Sequence, residues 1–406
     1  MKVLAANKFY FVKGGAERYF FELARILEER GHRVAPFAMQ HEMNDASEFD
    51  RYFVSNVGFN GEMGIARRLR MACHVLYSRE ASEAIGRLAD DFEPDVAHLH
   101  NIAHQLSPSI LYALRRRGVP IVQTLHDHKL ICPNYQMFVH GEPCRRCRTW
   151  RYYNAVKHRC MHDSLLWSGL VCAEAYLHKF LGSYSRLVDL WVSPSESLRQ
   201  RMIEHGIPGE RIVHQPYAIA MGRFEPRYES DGYAVSVGRL STGKGLSTVL
   251  QALKAAPDVR LKVAGSGPLE DELKSRVREL GLANVEFTGY LKGQALEDLM
   301  RGALFVVMSS ECYENSPLTV YEATAYGKAV IGSRMGGIPE LIEEGETGLI
   351  YEPGDDAALA DRMNELWNDP GRAIEMGCRA RTRAEAEYGP DAHYERVMAI
   401  YERVMH

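Results

Sequence analysis

The feature that most constrains this chain is an alternation that runs twice. Short apolar stretches are each followed by a segment of helical period. In the first half, residues 3–6, 34–37, 96–99, 121–125 and 190–193 read as strands, the last of them closing that half. Strands separated by helices build a parallel sheet covered on both faces. A helix is expected over 16–30, with Phe20, Leu23, Ala24 and Leu27 on one face and Gly31 after its end, the usual place for a terminating glycine. The rhythm restarts at 234–237, 261–264, 285–288, 304–307, 329–332 and 349–351. A polar linker rich in Pro and Gly falls at 215–230, Tyr388-Gly389-Pro390 breaks a helix, and a last helix covers 391–405. The expected fold is α/β, with two Rossmann-like doubly wound domains facing across a cleft. The expected limits are 1–218, 219–387 and a C-terminal helix, 388–406, that crosses back to the first domain.

The 406 residues suit two domains of ordinary size. A net charge of −4 argues against a bulk nucleic-acid binder. The apolar run at the N-terminus is far too short for a signal peptide, and no stretch is long enough to span a membrane. The expected location is therefore the cytoplasm. Eight cysteines without an export signal read as reduced thiols or metal ligands.

Ligands of open parallel sheets bind beyond the carboxyl ends of the strands. After strand 234–237 comes Gly238-Arg239-Leu240-Ser241-Thr242-Gly243-Lys244-Gly245, a glycine-rich turn with two cations. Its backbone amides and the Arg239 and Lys244 side chains suit a diphosphate. A surface turn with two solvated charges is the alternative. Gly265-Ser266-Gly267 follows the next strand, where glycines permit close backbone approach. The segment 309–323 follows strand 304–307. Pro317 suits the first turn of a helix, which leaves the amides of Ser316, Leu318 and Thr319 for an anion. Glu314 and Glu322 are eight apart and can touch different parts of one extended ligand.

Together these residues resemble the large retaining glycosyltransferase family 4 of the GT-B fold, over nearly the whole chain. The spacing of Glu314 and Glu322, the run Glu322-Ala323-Thr324-Ala325-Tyr326-Gly327, the Arg239 and Lys244 pair, Gly336-Gly337-Ile338-Pro339-Glu340 and Gly348-Leu349 all match its motifs. The resemblance implies that Glu322 holds a ribose diol and that Glu314 meets the transferred sugar. Amides after Asn315 would hold phosphate. It implies a nucleotide-diphosphate sugar donor in the second domain, UDP first by frequency, and an acceptor side in the first. Gly14 and Gly15 open the first helix, and Gly15 would lie beside the donor. His126, after strand 121–125, would contact the sugar, with Asp127 a weaker candidate. His100 and Asn101 would line the acceptor side. Tyr290 is read either as part of a base pocket or as a packed aromatic. Retention by front-face attack needs no carboxylate pair, and no Asp-x-Asp motif stands out, so no catalytic metal is expected. The linker Gln215-Pro216-Tyr217-Ala218 lacks the Asn-Gly turn common in the family. The competing readings are a nucleotide-sugar epimerase of the same fold and a non-catalytic nucleotide-sugar-binding scaffold.

Cys132, Cys144, Cys147 and Cys160 include one CxxC and can hold a structural zinc tetrahedrally. The same loop carries Arg145, Arg146, Arg148, Arg151, Lys157 and Arg159 among Trp150, Tyr152 and Tyr153, ahead of an apolar stretch at 165–171. Cations and aromatics beside apolar residues suit the inner membrane surface or a lipid-linked glycan acceptor. An ordinary solvated face is the alternative.

Overall fold

In a computed structural model, which describes residues 1–56 and 65–405, the chain divides into two compact units. One comprises Met1–Gln136, Arg145–Ala218 and His393–His406; the other comprises Met137–Cys144 and Ile219–Ala392.

The first unit is built on strands β1 (Lys2–Ala6), β2 (Arg33–Phe37), β3 (Val96–Leu99) and β4 (Ile121–Thr124). A hairpin, β5 (Phe138–Val139) and β6 (Glu142–Pro143), precedes the last two strands, β7 (Leu190–Ser193) and β8 (Ile212–His214). The sheet order is β2-β1-β3-β4-β7-β8, all parallel. Residues of β1, β3 and β4 are buried on both faces, as a doubly covered sheet requires. The first helix, Gly15–Glu28, buries Tyr19, Phe20, Leu23, Ile26 and Leu27, and Gly31 follows in the left-handed region at φ 82°. The C-terminal helix Pro390–Met405 belongs to this unit from His393 onward. Buried Tyr401 shares a 2.7 Å hydrogen bond with His98, and His393 shares one of 3.1 Å with Tyr19.

Two expectations need correction here. β8 closes the sheet beyond residues 190–193; it is a three-residue edge strand with one buried side chain, too short to show a period. The hairpin segment 137–144 falls inside the span assigned to the first domain yet clusters with the second unit. There the Phe138 ring lies against Gly243, where an added Cβ would sit 3.0 Å from it.

The second unit holds β9 (Ala234–Val237), β10 (Leu261–Ala264), β11 (Val285–Gly289), β12 (Phe305–Met308), β13 (Ala329–Ser333) and β14 (Gly348–Tyr351). Their order is β11-β10-β9-β12-β13-β14, again parallel throughout. Its core runs from Ala234 and Val249 through Leu261, Val263, Phe305, Val307 and Ile331 to Leu359 and Met363, all almost inaccessible.

Candidate functional site

In the second sheet the chain turns back at β9, so β9 and β12 flank the point where strand order reverses. Ligands of doubly wound sheets bind at such a point. The two loops that leave it are 238–245 and 309–317, and they are stitched together. Glu311 N and Cys312 N donate to Gly243 O at 2.8 and 3.0 Å, and Ser309 Oγ donates to Lys244 O at 2.8 Å. Gly245 has φ 70°, and a Cβ there would lie 1.8 Å from Ser309 O, so only glycine permits this approach. Gly267 allows the β10 loop to lie on the β9 loop, since its Cβ would meet Leu240 O at 2.2 Å.

That stitching sets Lys244 beside Glu314. Lys244 Nζ donates to Glu314 Oε1, which also accepts from Ser310 Oγ at 2.6 Å. Burial alone would push the Lys244 ammonium down; the Glu314 carboxylate and neighbouring Cys312 together outweigh it and hold the pKa above the ordinary lysine value. The Glu314 backbone is gripped from behind: Gly337 N donates to Glu314 O at 2.9 Å, and Gly336, at φ 62°, leaves room where a Cβ would be 2.0 Å from the same oxygen. Arg239 is exposed at the mouth of the β9 loop.

The helix after this loop is Leu318–Ala325, with Pro317 as its cap residue at ψ 116°. Pro317 thus stands one place before the first turn, because its extended ψ ends the β12 loop there. No side chain caps the helix, so its first-turn amides, those of Leu318 and Thr319 included, remain available to an anion. Ser316 is buried and its hydroxyl shares a 2.7 Å hydrogen bond with Tyr321. Asn315 and Glu322 are half-buried, Glu322 on the second turn. The unit therefore gathers two cations, free amides and two carboxylates around one switch point. Such a set can neutralise a diphosphate and accept from sugar hydroxyls. Tyr290 is 71% exposed, which removes the packed-aromatic reading.

In the first sheet the order reverses between β1 and β3. The loop after β1 is braced by Asn7, whose Nδ2 donates to Phe9 O at 2.8 Å and to buried Glu17 at 3.4 Å, while Asn101 N donates to its Oδ1 at 3.2 Å. Gly14 caps the first helix at φ −166°, ordinary extended backbone, with Gly15 the first helical residue. A histidine chain then crosses the strand ends. His126 shares hydrogen bonds with Tyr217 OH (2.7 Å, Nδ1) and His100 (2.9 Å, Nε2), and His98 stacks on His100 at 4.7 Å. Burial, then the neighbouring His98 and Lys8, push His126 down to about 3, and His98 falls to about 3 for the same first reason. Both rings are neutral at physiological pH. His100 Nε2 is buried without a partner.

His100, Asn101, His126 and Asp127 line a cavity of about 500 Å³. Its polar side also carries Lys8 and Lys129, and its apolar wall includes Trp167, Leu170 and Val171. Lys129 Nζ donates to buried Glu174 at 2.7 Å. The sequence reading missed Lys129, Glu174, His98 and Tyr217. His98 and His100 are two apart on one strand edge, a spacing that places both on one face; no local signal links Tyr217 or Glu174 to His126.

Cys132 Sγ donates to Asn134 Oδ1 at 2.8 Å, Cys147 packs with Tyr152 and Cys172 in an apolar cluster, and Cys144 lies in the segment grouped with the second unit. Among the described residues no group of three or more His, Cys, Asp or Glu could hold a metal ion.

The strand order and phosphate-suited loops of the second unit are those of a nucleotide-binding α/β protein. Residues 13–220 match the model of Glycosyltransferase Family 4, and residues 221–383 match that of Glycosyl transferases group 1. The chain belongs to the group 1 glycosyltransferases of the GT-B fold. It is 32% identical over 219 residues to D-rhamnosyltransferase WbpZ of Pseudomonas aeruginosa, covering 51% of this chain and 56% of that protein. The match thus spans little more than half of that relative. It is 26% identical to O-antigen chain mannosyltransferase C of Escherichia coli over 99% of this chain and 98% of the relative. In structure it is similar to Anabaena Alr3699/HepE in complex with UDP and glucose, with TM-score 0.70, 18% identity and coverage of 99% and 100%.

Proposed function

We propose that the chain transfers a hexosyl group, with retention, from a nucleotide-diphosphate sugar to a glycan or lipid-linked acceptor in surface polysaccharide assembly at the inner membrane surface. UDP is the nucleotide proposed first. The observation that carries this reading is the Lys244–Glu314 pair at the switch point of the second sheet, a cation and an acid held side by side. The names of the relatives, an O-antigen mannosyltransferase and a rhamnosyltransferase, support a glycan product. The UDP and glucose bound in the structural neighbour support the nucleotide.

In this reading Lys244, Arg239 and the amides of Leu318 and Thr319 hold the diphosphate, with Gly267 admitting it and Asn315 and Ser316 flanking it. Glu322 accepts from the ribose, and Glu314 from the sugar. The anomeric carbon–oxygen bond to the diphosphate breaks as the acceptor oxygen bonds on the same face. The acceptor proton passes to the leaving phosphate oxygen. The protein's contribution is position and neutralised charge. Neutral His126 contacts the transferred sugar, and Gly14 and Gly15 give the donor backbone access.

The test is transfer of label from UDP-, GDP- and ADP-sugars to a lipid extract of the source membrane. Transfer from one nucleotide class, lost in Glu314→Gln, supports the reading. Absence of transfer from every donor contradicts it.

A further inference from the structure

Helix Leu165–Leu181 of the first unit is unusual in what it shows to water. At about 100° per residue, Leu165, Leu166, Tyr176, Leu177, Phe180 and Leu181 fall within one arc of roughly 160°, and all six are exposed. Leu166 is 75% and Phe180 86% exposed. Ala173 is exposed on the same arc, so no charged residue interrupts it. The opposite side is a normal interior face, with Ser168, Val171, Cys172, Glu174 and His178 buried. Exposed apolar area of this extent marks an interaction surface.

The flank says what partner fits. Residues 145–181 hold seven Lys and Arg against two acids, in a chain of net charge −4. One of those acids, Glu174, is buried against Lys129. Arg145, Arg148, Arg151, Lys157, Arg159 and Lys179 are all exposed. The basic segment packs onto this helix: Tyr153 N donates to Tyr176 OH at 3.3 Å, and Lys179 Nζ lies 3.3 Å from the centre of the Trp150 ring. An apolar helix face rimmed by cations and aromatics is matched to a bilayer with anionic headgroups, where the helix lies in the interface plane. No helix among the described residues is long and apolar enough to cross a membrane.

We infer that helix Leu165–Leu181 docks on an anionic lipid surface, and that its inward side admits the acceptor. Trp167, Leu170 and Val171 of the same helix form the apolar wall of the cavity that also holds His126, Lys8 and Lys129. The cavity-lining residues run from the edge of the exposed arc, where Leu170 falls between Leu177 and Leu181, round to Trp167 and Val171, so the helix borders lipid and cavity along one edge. The cavity offers an apolar wall and the Lys8 ammonium to one ligand, Lys129 being paired with Glu174, which suits an acceptor whose sugar is carried on a lipid phosphate. This inference rests on the lipid-linked acceptor proposed above.

The experiment is co-sedimentation of the whole chain with phosphatidylcholine vesicles, and with vesicles that also contain phosphatidylglycerol. Wild type and Leu166→Glu/Phe180→Glu are compared, with UDP titrated into both as a fold control. Wild type is expected to bind the anionic vesicles and not the neutral ones. The double variant is expected to lose at least about tenfold in vesicle affinity, with UDP binding unchanged. Wild type that binds UDP but ignores both vesicle types overturns the docking surface and leaves the donor site standing. A variant that binds vesicles as wild type does overturns it too. So does wild type that self-associates through this face, with the double substitution restoring a monomer, and fails to bind vesicles. If the double variant loses UDP binding as well, Phe180→Ser replaces it, and unchanged vesicle binding by that variant overturns the inference.

Discussion

Lys244 and Glu314 are ion-paired within the second unit although seventy residues separate them in sequence. The pair is about one-third exposed at the lysine and less at the acid. Glu314, with Cys312 beside it, more than offsets the burial that would discharge Lys244. The raised pKa places loss of the cation above the ordinary lysine range, so Lys244 carries full charge at neutral pH.

Replacement of the two residues separates their roles. Lys244→Ala removes a charge-assisted contact to the diphosphate and is expected to weaken UDP binding by about 10- to 100-fold. Glu314→Gln keeps the shape and is expected to leave UDP affinity within a few-fold. Its transfer rate should fall by about 10²- to 10³-fold, the usual cost of one lost transition-state contact. Calorimetry with UDP and single-turnover transfer rates check the two outcomes. Equal losses of affinity in both variants would contradict the division of roles.

Gly336 and Gly281 offer a matched comparison. Both have positive φ, 62° and 66°, but a Cβ at Gly281 meets nothing within 4 Å, whereas at Gly336 it meets the Glu314 carbonyl at 2.0 Å. Gly281→Ala is expected to cost about 1 kcal/mol, the strain of the left-handed region. Gly336→Ala should cost at least about 2 kcal/mol more and should also weaken UDP binding, because pushing on the Glu314 carbonyl shifts the loop that leads into the Leu318 and Thr319 amides. Urea midpoints of the two variants measure the difference.

Acid should loosen the first unit before it affects the second. His98, His126, His128 and His393 each have a native pKa pushed down to about 3, in every case chiefly by burial, against about 6.5 unfolded. Between those values the unfolded chain binds protons that the native rings refuse, so stability rises with pH in this window and falls as pH drops from about 6.5 toward 3. Each ring contributes up to about 1.4 kcal/mol per pH unit. Urea unfolding at pH 7 and pH 5, followed by tryptophan fluorescence with buried Trp191 of β7 as the reporter of the first unit, should show the loss. A first unit equally stable at both values would contradict the burial of these rings.

The sequence carried the parallel sheets well. Phe305–Met308 is a continuous apolar run, buried throughout, the pattern expected of a strand covered on both sheet faces. It carried less of the edges: Ile212–His214 is too short to show a period, and the Phe138 hairpin joins its unit through a contact with Gly243 about a hundred residues away. Arg239, Lys244, Glu314 and Glu322 were legible because glycine turns and strand ends announce where a sheet binds ligands. The Lys244–Glu314 bond was not, since pairing depends on how the β9 and β12 loops are stitched. Tyr217 was hidden for a similar reason, as nothing near it in sequence points to His126. The cysteine spacing carries less, because a CxxC reports a local turn and says nothing of where Cys132 and Cys160 stand.

The most direct test of the central claim is calorimetric titration of the chain with UDP, GDP and ADP, for wild type and for Glu322→Ala. Binding of one nucleotide, UDP foremost, weakened by about tenfold or more in the variant as a lost charged hydrogen bond requires, is the predicted result. Absence of binding by all three to the folded wild-type chain would contradict the donor site in the second unit.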